Sequence, residues 1–212
     1  MKSITVIWAF VVALTAAVAQ TSAPANLNLR GDRFRALKWE EMTPEQKTMI
    51  NNLLSGERGT TTGPFNALLR SPEMGDLAQK FGAAQRFHSS IPRKLNEFAI
   101  LITARFWTSQ YEWYAHSRDG LKYGLEQPVI DSLAANKRPG NMDADETVVY
   151  NFCHELLTTH QVSDGNFKAA VDKFGERGVV DLIGTMGWYN MVSMILNTDR
   201  YPLPDGAKPM LK

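Results

Sequence analysis

Leu95, Phe98, Ala99, Ile102 and Phe106 recur at three- and four-residue spacing, which places them along one face of a helix. Nowhere does the chain alternate apolar and polar residues long enough to line one face of a strand. Together these patterns predict an all-α fold. The start and stop signals agree. Thr43-Pro44-Glu45-Gln46 is a hydroxyl cap, a proline at the first helical position and a glutamine three residues on, so a helix is expected to run to about Leu54. Gly56 to Gly63 reads as a loop and Pro64 to Leu69 as a turn or two of helix. Ser71-Pro72 opens a helix to about Phe87, and Ser90 is expected to cap the one that carries the apolar stripe. Further helices are expected near 109–123, 127–135, 144–160, 164–174 and 177–197. Ser109, Asp143 and Ser163 would start three of them, and Gly124 and Gly175 would act as stops.

With 23 basic and 22 acidic side chains among 212 residues, the chain has no cationic surplus, and a nucleic-acid partner is not expected. Its one cysteine can form neither an internal disulfide nor a vicinal redox pair. Lys2, the short apolar run Ile4 to Val18 and Ala17-Val18-Ala19 fit a cleavable signal peptide over 1–19. The run is shorter than the roughly 20 apolar residues that span a bilayer, so the expected home is the periplasm or the exterior, with no stable membrane insertion after cleavage. Residues 20–36 are polar and read as a flexible tether, and 37–212 as a single helical domain.

The chemistry concentrates between Arg93 and His116. Glu97 and Arg105 interrupt an apolar helix face, and a break is expected at Trp107-Thr108. Glu112 and His116, four apart on the next helix, share a face and can share a hydrogen bond. A carboxylate beside an imidazole orients the ring and favours its charged form, as a general acid or base near neutral pH requires. Blander readings exist. Ser109 and Glu112 also spell a capping box, Glu97 can simply pair with Arg93, Lys94 or Arg105, and aromatic residues such as Trp107, Tyr111, Trp113, Trp188 and Tyr189 commonly pack cores. Metal binding is the weakest option, because His88, His116, His154 and His160 are scattered without ligand spacing.

The pattern Glu97-x11-Ser109-x2-Glu112-x3-His116 resembles the active-site signature of the AhpD-like alkylhydroperoxidases, a Glu, two Cys and a His, with both cysteines replaced. The string Tyr111-Glu112-Trp113-x-x-His116 resembles the carboxymuconolactone decarboxylase branch of that superfamily. So do Gly63-Pro64-Phe65-Asn66, Arg70-Ser71-Pro72-Glu73, Tyr123-Gly124-Leu125, Gly187-Trp188-Tyr189-Asn190 and Leu196-Asn197, in order over about residues 40–205. The resemblance implies an AhpD-like helical domain assembled as a homo-trimer or homo-hexamer. A last helix rich in aromatic residues and methionine, Val179 to Leu196, offers surface for such a contact. It also implies a cofactor-free enzyme that decarboxylates or isomerises a small lactone or aromatic-derived carboxylic acid. Thiol peroxidase chemistry is disfavoured, since Ser109 and Glu112 stand at the cysteine positions and Cys153 reads as a buried, inert thiol.

In that reading His116 is the acid or base, Glu112 its orienting partner and Glu97 a second carboxylate for proton relay. Ser109 donates a hydrogen bond at a helix start, Arg93 or Arg105 holds a carboxylate, and Trp107, Tyr111, Trp188 and Tyr189 wall a flat pocket. The alternative from another class is a small-molecule binding protein on the same fold, without turnover.

Overall fold

The computed structural model describes residues 22–212, so the expected signal segment lies outside the described residues. Among the described residues there is no strand. After a 3-10 turn at Trp39–Glu41 come α1 (Pro44–Ser55), α2 (Phe65–Leu68), α3 (Pro72–Phe87), α4 (Arg93–Phe106), α5 (Gln110–Lys122), α6 (Gln127–Ala134), α7 (Ala144–Thr159) and α8 (Asp164–Asp199). The chain is all-α, as its periodicity requires.

Two starts follow the sequence signals in full. Thr43 Oγ1 accepts from Gln46 N at 3.3 Å while Gln46 Oε1 accepts from Thr43 N at 2.9 Å. Asp143 and Glu146 exchange the same pair of bonds at 2.8 and 3.0 Å. These satisfy backbone donors that have no partner within the helix. Ser90 does not cap. Pro92, its φ held at −51° by the ring, leads directly into α4, and Ser90 instead donates its N–H and hydroxyl to Asp181 Oδ2 at 2.7 and 2.6 Å, tying the α3–α4 connection to α8. At Gly175 the backbone turns to φ 70°, ψ 171°, as its reading as a stop requires, but helix resumes at once, so the two helices expected there form one broken element. Gly124 ends α5 with φ 98°, a left-handed conformation that glycine adopts without a Cβ penalty.

The polar stretch before the domain has no helix, yet over its described part it is a fastened strap and not a flexible tether. Leu27 and Leu29 pack on the core. The buried Asp199 carboxylate accepts from the backbone of Asp32 and Phe34, and Asn66 Nδ2 donates to Phe34 O at 2.6 Å.

α4 is the spine. Every residue from Leu95 to Ala104 is buried, so the helix is enclosed all round and not only along the expected stripe, whose last member, Phe106, is half exposed. Leu95, Phe98, Leu101 and Ile102 enter one apolar cluster with Trp113, Phe152 and Leu182. Ile100 enters a second with Leu53, Phe65, Trp188, Tyr189 and Val192. α8 is long and apolar enough by composition to cross a membrane, but half of its most apolar window is buried within this fold, where it packs on α3, α4 and α7. Its aromatic residues Trp188 and Tyr189 point inward. Its outward apolar residues include Phe167, Val180, Ile183 and Met194, and α3 likewise turns Met74, Leu77 and Phe81 outward.

α3 meets α8 through a glycine. A Cβ on Gly82 would lie 2.3 Å from the indole of Trp188, which is itself buried and cannot retreat into solvent. Gly82→Val is therefore expected to destabilise the fold by about 2 kcal/mol or more through overpacking. A thermal melt unchanged by that substitution would show that the indole has room to move.

Candidate functional site

The site depends on how α4 hands over to α5. Thr108, at φ 48°, is the one left-handed residue between them. Ser109 N donates to Ala104 O at 2.9 Å and Thr108 N to Arg105 O at 3.0 Å, the paired bonds that close a helix around such a residue. α5 then begins at Gln110. The two helices run back against each other, and Glu97, about three turns before the break, meets His116, about two turns after it.

Glu97 is fully buried and Oε2 accepts from His116 Nδ1 at 2.6 Å. On the other side of the ring, Nε2 stands 3.3 Å from Glu112 Oε2, at ion-pair distance. Arg93, one turn before Glu97, completes the set with Nη2 at 3.1 Å from Glu97 Oε1. Burial alone would lower the His116 pKa, but the Glu97 charge and the contacts with Glu112 and Glu97 overcome it and push it up to about 9. Burial likewise raises the Glu97 carboxyl, and the His116 charge, its hydrogen bond and Arg93 reverse that, leaving Glu97 below its ordinary value. At neutral pH the ring is an imidazolium between two carboxylates.

Glu112 and His116 border a cleft of about 230 Å³, walled also by Tyr111, Trp188, Tyr189, Arg58 and Arg86. Tyr189 packs edge-on to the imidazole, with ring centroids 4.9 Å apart. Its hydroxyl is buried with no hydrogen-bond partner among the described residues, and burial holds it protonated. The expected roles of the two carboxylates are thus redistributed. Glu97 is the deep orienting partner, and Glu112 is the carboxylate that reaches the cleft.

Four expected binding residues are elsewhere. Arg93 backs Glu97 and does not line the cleft. Arg105 faces away at the far end of α4, donating to Thr108 Oγ1 and Lys212 O at 3.1 and 2.9 Å, because the twelve residues from Arg93 leave it more than three turns along the helix. Trp107 Nε1 donates to Asn190 Oδ1, and its carbonyl accepts from Asn197 Nδ2 at 2.8 Å. Ser109 is fully buried outside the cleft, and neither half of the expected capping box forms, for its hydroxyl has no partner among the described residues and Glu112 turns to His116. Cys153 is buried in α7, where desolvation pushes its thiol pKa up and away from reactivity.

Arg58 and Arg86 carry no clear signal in the sequence. Arg58 sits in the loop between α1 and α2, with no periodicity to report its direction. Arg86 extends the row Gly75, Gln79, Gly82 at helical spacing, and that row is the buried face of α3, so the inward direction of Arg86 follows from a small and polar stripe and not from an apolar one.

Glu97, His116 and Asp119 present ligand atoms within 4.8 Å of one another, a geometry open to a cation. Each is already engaged, however: Asp119 by Arg86 at 2.9 Å, Glu97 by Arg93 and His116, and the imidazolium by both carboxylates, so it has no lone pair to give. No family model matches the chain, and no curated relative was found for it.

The raised His116 pKa adds stability that is fully present below about 6.5 and is lost as pH rises through about 9. The melting temperature is therefore expected to fall between about pH 6 and pH 9.5, and a His116→Gln variant showing the same decline would assign it to other groups. Ser109→Ala is expected to be neutral or slightly stabilising, since it removes a buried unpaired hydroxyl. A loss of about 0.5–2 kcal/mol would restore the capping reading.

Proposed function

We propose that the chain is a cofactor-free proton-transfer enzyme of the carboxymuconolactone decarboxylase type, which decarboxylates or isomerises a small lactone or aromatic-derived carboxylic acid. One observation carries the reading: an imidazolium held between two carboxylates, one deep and one at the wall of a cleft. An ordinary core has little use for such a triad, because burying ionised groups costs several kcal/mol each unless geometry and partners offset it.

In this reading Glu97 fixes the ring and holds its charge. Glu112 exchanges protons with the substrate, and His116 Nε2 resupplies or receives them at Glu112 Oε2. In an isomerisation the Glu112 carboxylate takes a proton from carbon, the electron pair delocalises into the adjacent carbonyl, and the same proton returns at another carbon. In a decarboxylation the carbon–carboxylate bond breaks, carbon dioxide leaves, and the carbanion takes the proton relayed from His116 through Glu112. Arg58, Arg86 and the Tyr189 hydroxyl supply positive charge and a donor for the developing oxyanion. Thiol peroxide reduction has no place here, for both motif positions lack cysteine and Cys153 lies in another cluster.

The second reading, a binding protein, draws support from the same triad, since neither imidazole nitrogen is free to face a ligand. Turnover decides between them. Purified protein is assayed on a panel of small lactone and aromatic carboxylic acids, reading carbon dioxide release and hydrogen–deuterium exchange at carbon. His116→Gln is expected to lower turnover by about 10²- to 10⁴-fold, and Glu112→Gln to overlap with it non-additively. Full activity in the His116 variant would end the proton-transfer reading. Binding without turnover across the panel would leave the binding protein.

A further inference from the structure

Charge in and immediately behind the cleft is unbalanced. Arg86 is paired to Asp119 at 2.9 Å, Arg93 to Glu97 at 3.1 Å, and His116 to Glu97 and Glu112 at 2.6 and 3.3 Å. Arg58 alone among these cations has no carboxylate at ion-pair distance among the described residues. It is a half-buried arginine. Its Nε and one Nη are buried and have no hydrogen-bond partner, and its guanidinium lies against the rings of Phe65, Phe87 and Trp188 at 5.2, 5.9 and 5.9 Å. Burial lowers its pKa, the nearby Arg86 charge lowers it further, and Glu112 offsets this only in part. Aromatic faces hold a guanidinium in place but satisfy none of its N–H donors.

A half-buried cation whose buried donors are unsatisfied is costly unless something completes them. Arg58 borders the same cleft as Glu112 and His116, and the Tyr189 hydroxyl there is also without a partner. With Glu97, Glu112 and Asp119 set against His116, Arg86, Arg93 and Arg58, one positive charge is left over. A single ligand carboxylate would neutralise it and accept from the planar fork of the guanidinium.

We propose that Arg58 is the anchor for a carboxylate that the substrate keeps, and that the cleft takes small monoanionic carboxylic acids with a flat apolar body. The flat body follows from Tyr111, Trp188, Tyr189 and Phe65 in the lining, and the small size from a volume below the roughly 300–1,000 Å³ of drug-sized sites. Retention follows from differential binding. A carboxylate gripped by Arg58 is stabilised as a carboxylate, which raises the barrier to losing it as neutral carbon dioxide. For a substrate with one carboxylate, the anchor therefore favours isomerisation over decarboxylation. This deepens the proposed function and rests on its premise that the cleft is a small-molecule site, but it requires no proton transfer.

The test uses benzoate as the probe and benzamide as its neutral counterpart, followed by NMR titration of the intact protein. Wild type is expected to bind benzoate more tightly than benzamide. Arg58→Gln should weaken benzoate by about ten- to a hundred-fold, the usual contribution of a charge-assisted hydrogen bond, and leave benzamide unchanged. Arg105→Gln, away from the cleft, should leave benzoate affinity unaltered. Should Arg58→Gln fail to fold, Arg58→Lys, which keeps the charge and loses the fork, should retain part of the benzoate preference. Equal affinity of wild type for the two probes, or undiminished benzoate binding in Arg58→Gln, would overturn the inference. Arg58-dependent benzoate binding in a protein with no turnover would instead remove the enzymatic reading and leave this one standing.

Discussion

The short hydrogen bond between His116 Nδ1 and Glu97 Oε2 is the contact on which the rest of this structure turns. Glu97 is wholly buried on a helix enclosed on every side, and an ionised carboxylate there is untenable without compensation. His116 and Arg93 provide it from opposite directions, one across the α4–α5 interface and one from the preceding turn of the same helix. Removing one partner from such a set leaves a charge in a dry interior, at about 3–5 kcal/mol. The demand reaches back to Thr108. A β-branched residue in the left-handed region is unfavourable by itself, and it is retained where a single residue must reverse the chain so that α5 returns along α4 in the one register that brings the imidazole to Glu97.

Around that pair the fold separates two kinds of environment. α4 divides the apolar interior into two clusters, with Phe98 and Leu101 on one side and Ile100 on the other. The cleft opens on the second side, where Trp188, Tyr189 and Val192 of α8 meet the loop before α2. Glu97 lies too deep to touch it, and Glu112 and His116 lie at its edge. This layering gives the three polar residues different settings: depth makes Glu97 a holder of the imidazole, and proximity to the opening leaves Glu112 facing the cleft.

Much of this is legible in the amino-acid sequence. The fold class, most helix spans, the Thr43 and Asp143 caps, the stops at Gly124 and Gly175 and the pairing of Glu112 with His116 all follow from spacing, since each depends on residues close in the chain. The departures share a cause. Ser109 reads as a cap because the Ser-x-x-Glu box and the i,i+4 pair with His116 both lay claim to Glu112, and spacing alone does not say which one wins. Arg105 reads as a carboxylate holder because it is near the motif along the chain, whereas the helix carries it away to the C-terminal carbonyl of Lys212. Arg58 gives no signal because a loop has no period, and only the rings that close around it reveal that its charge faces inward.

α3 shows the same limit from the other direction and suggests how the cleft came to dictate the packing. Its apolar residues Met74, Leu77 and Phe81 are exposed, and its inner face is Gly75, Gln79, Gly82 and then Arg86. A hydrophobic-moment argument would turn this helix round, which would bury the three apolar side chains and carry Arg86 into solvent. The observed orientation forgoes that burial, about 1.5–3 kcal/mol for each large side chain fully withdrawn from water. In return, Gly82 admits the Trp188 indole at close contact, and Arg86 reaches Asp119 beside the triad. The indole that Gly82 accommodates is the same one that walls the cleft and lies against the Arg58 guanidinium. The small and polar stripe on α3 is thus part of the site's architecture, and it leaves the apolar face of the helix turned outward.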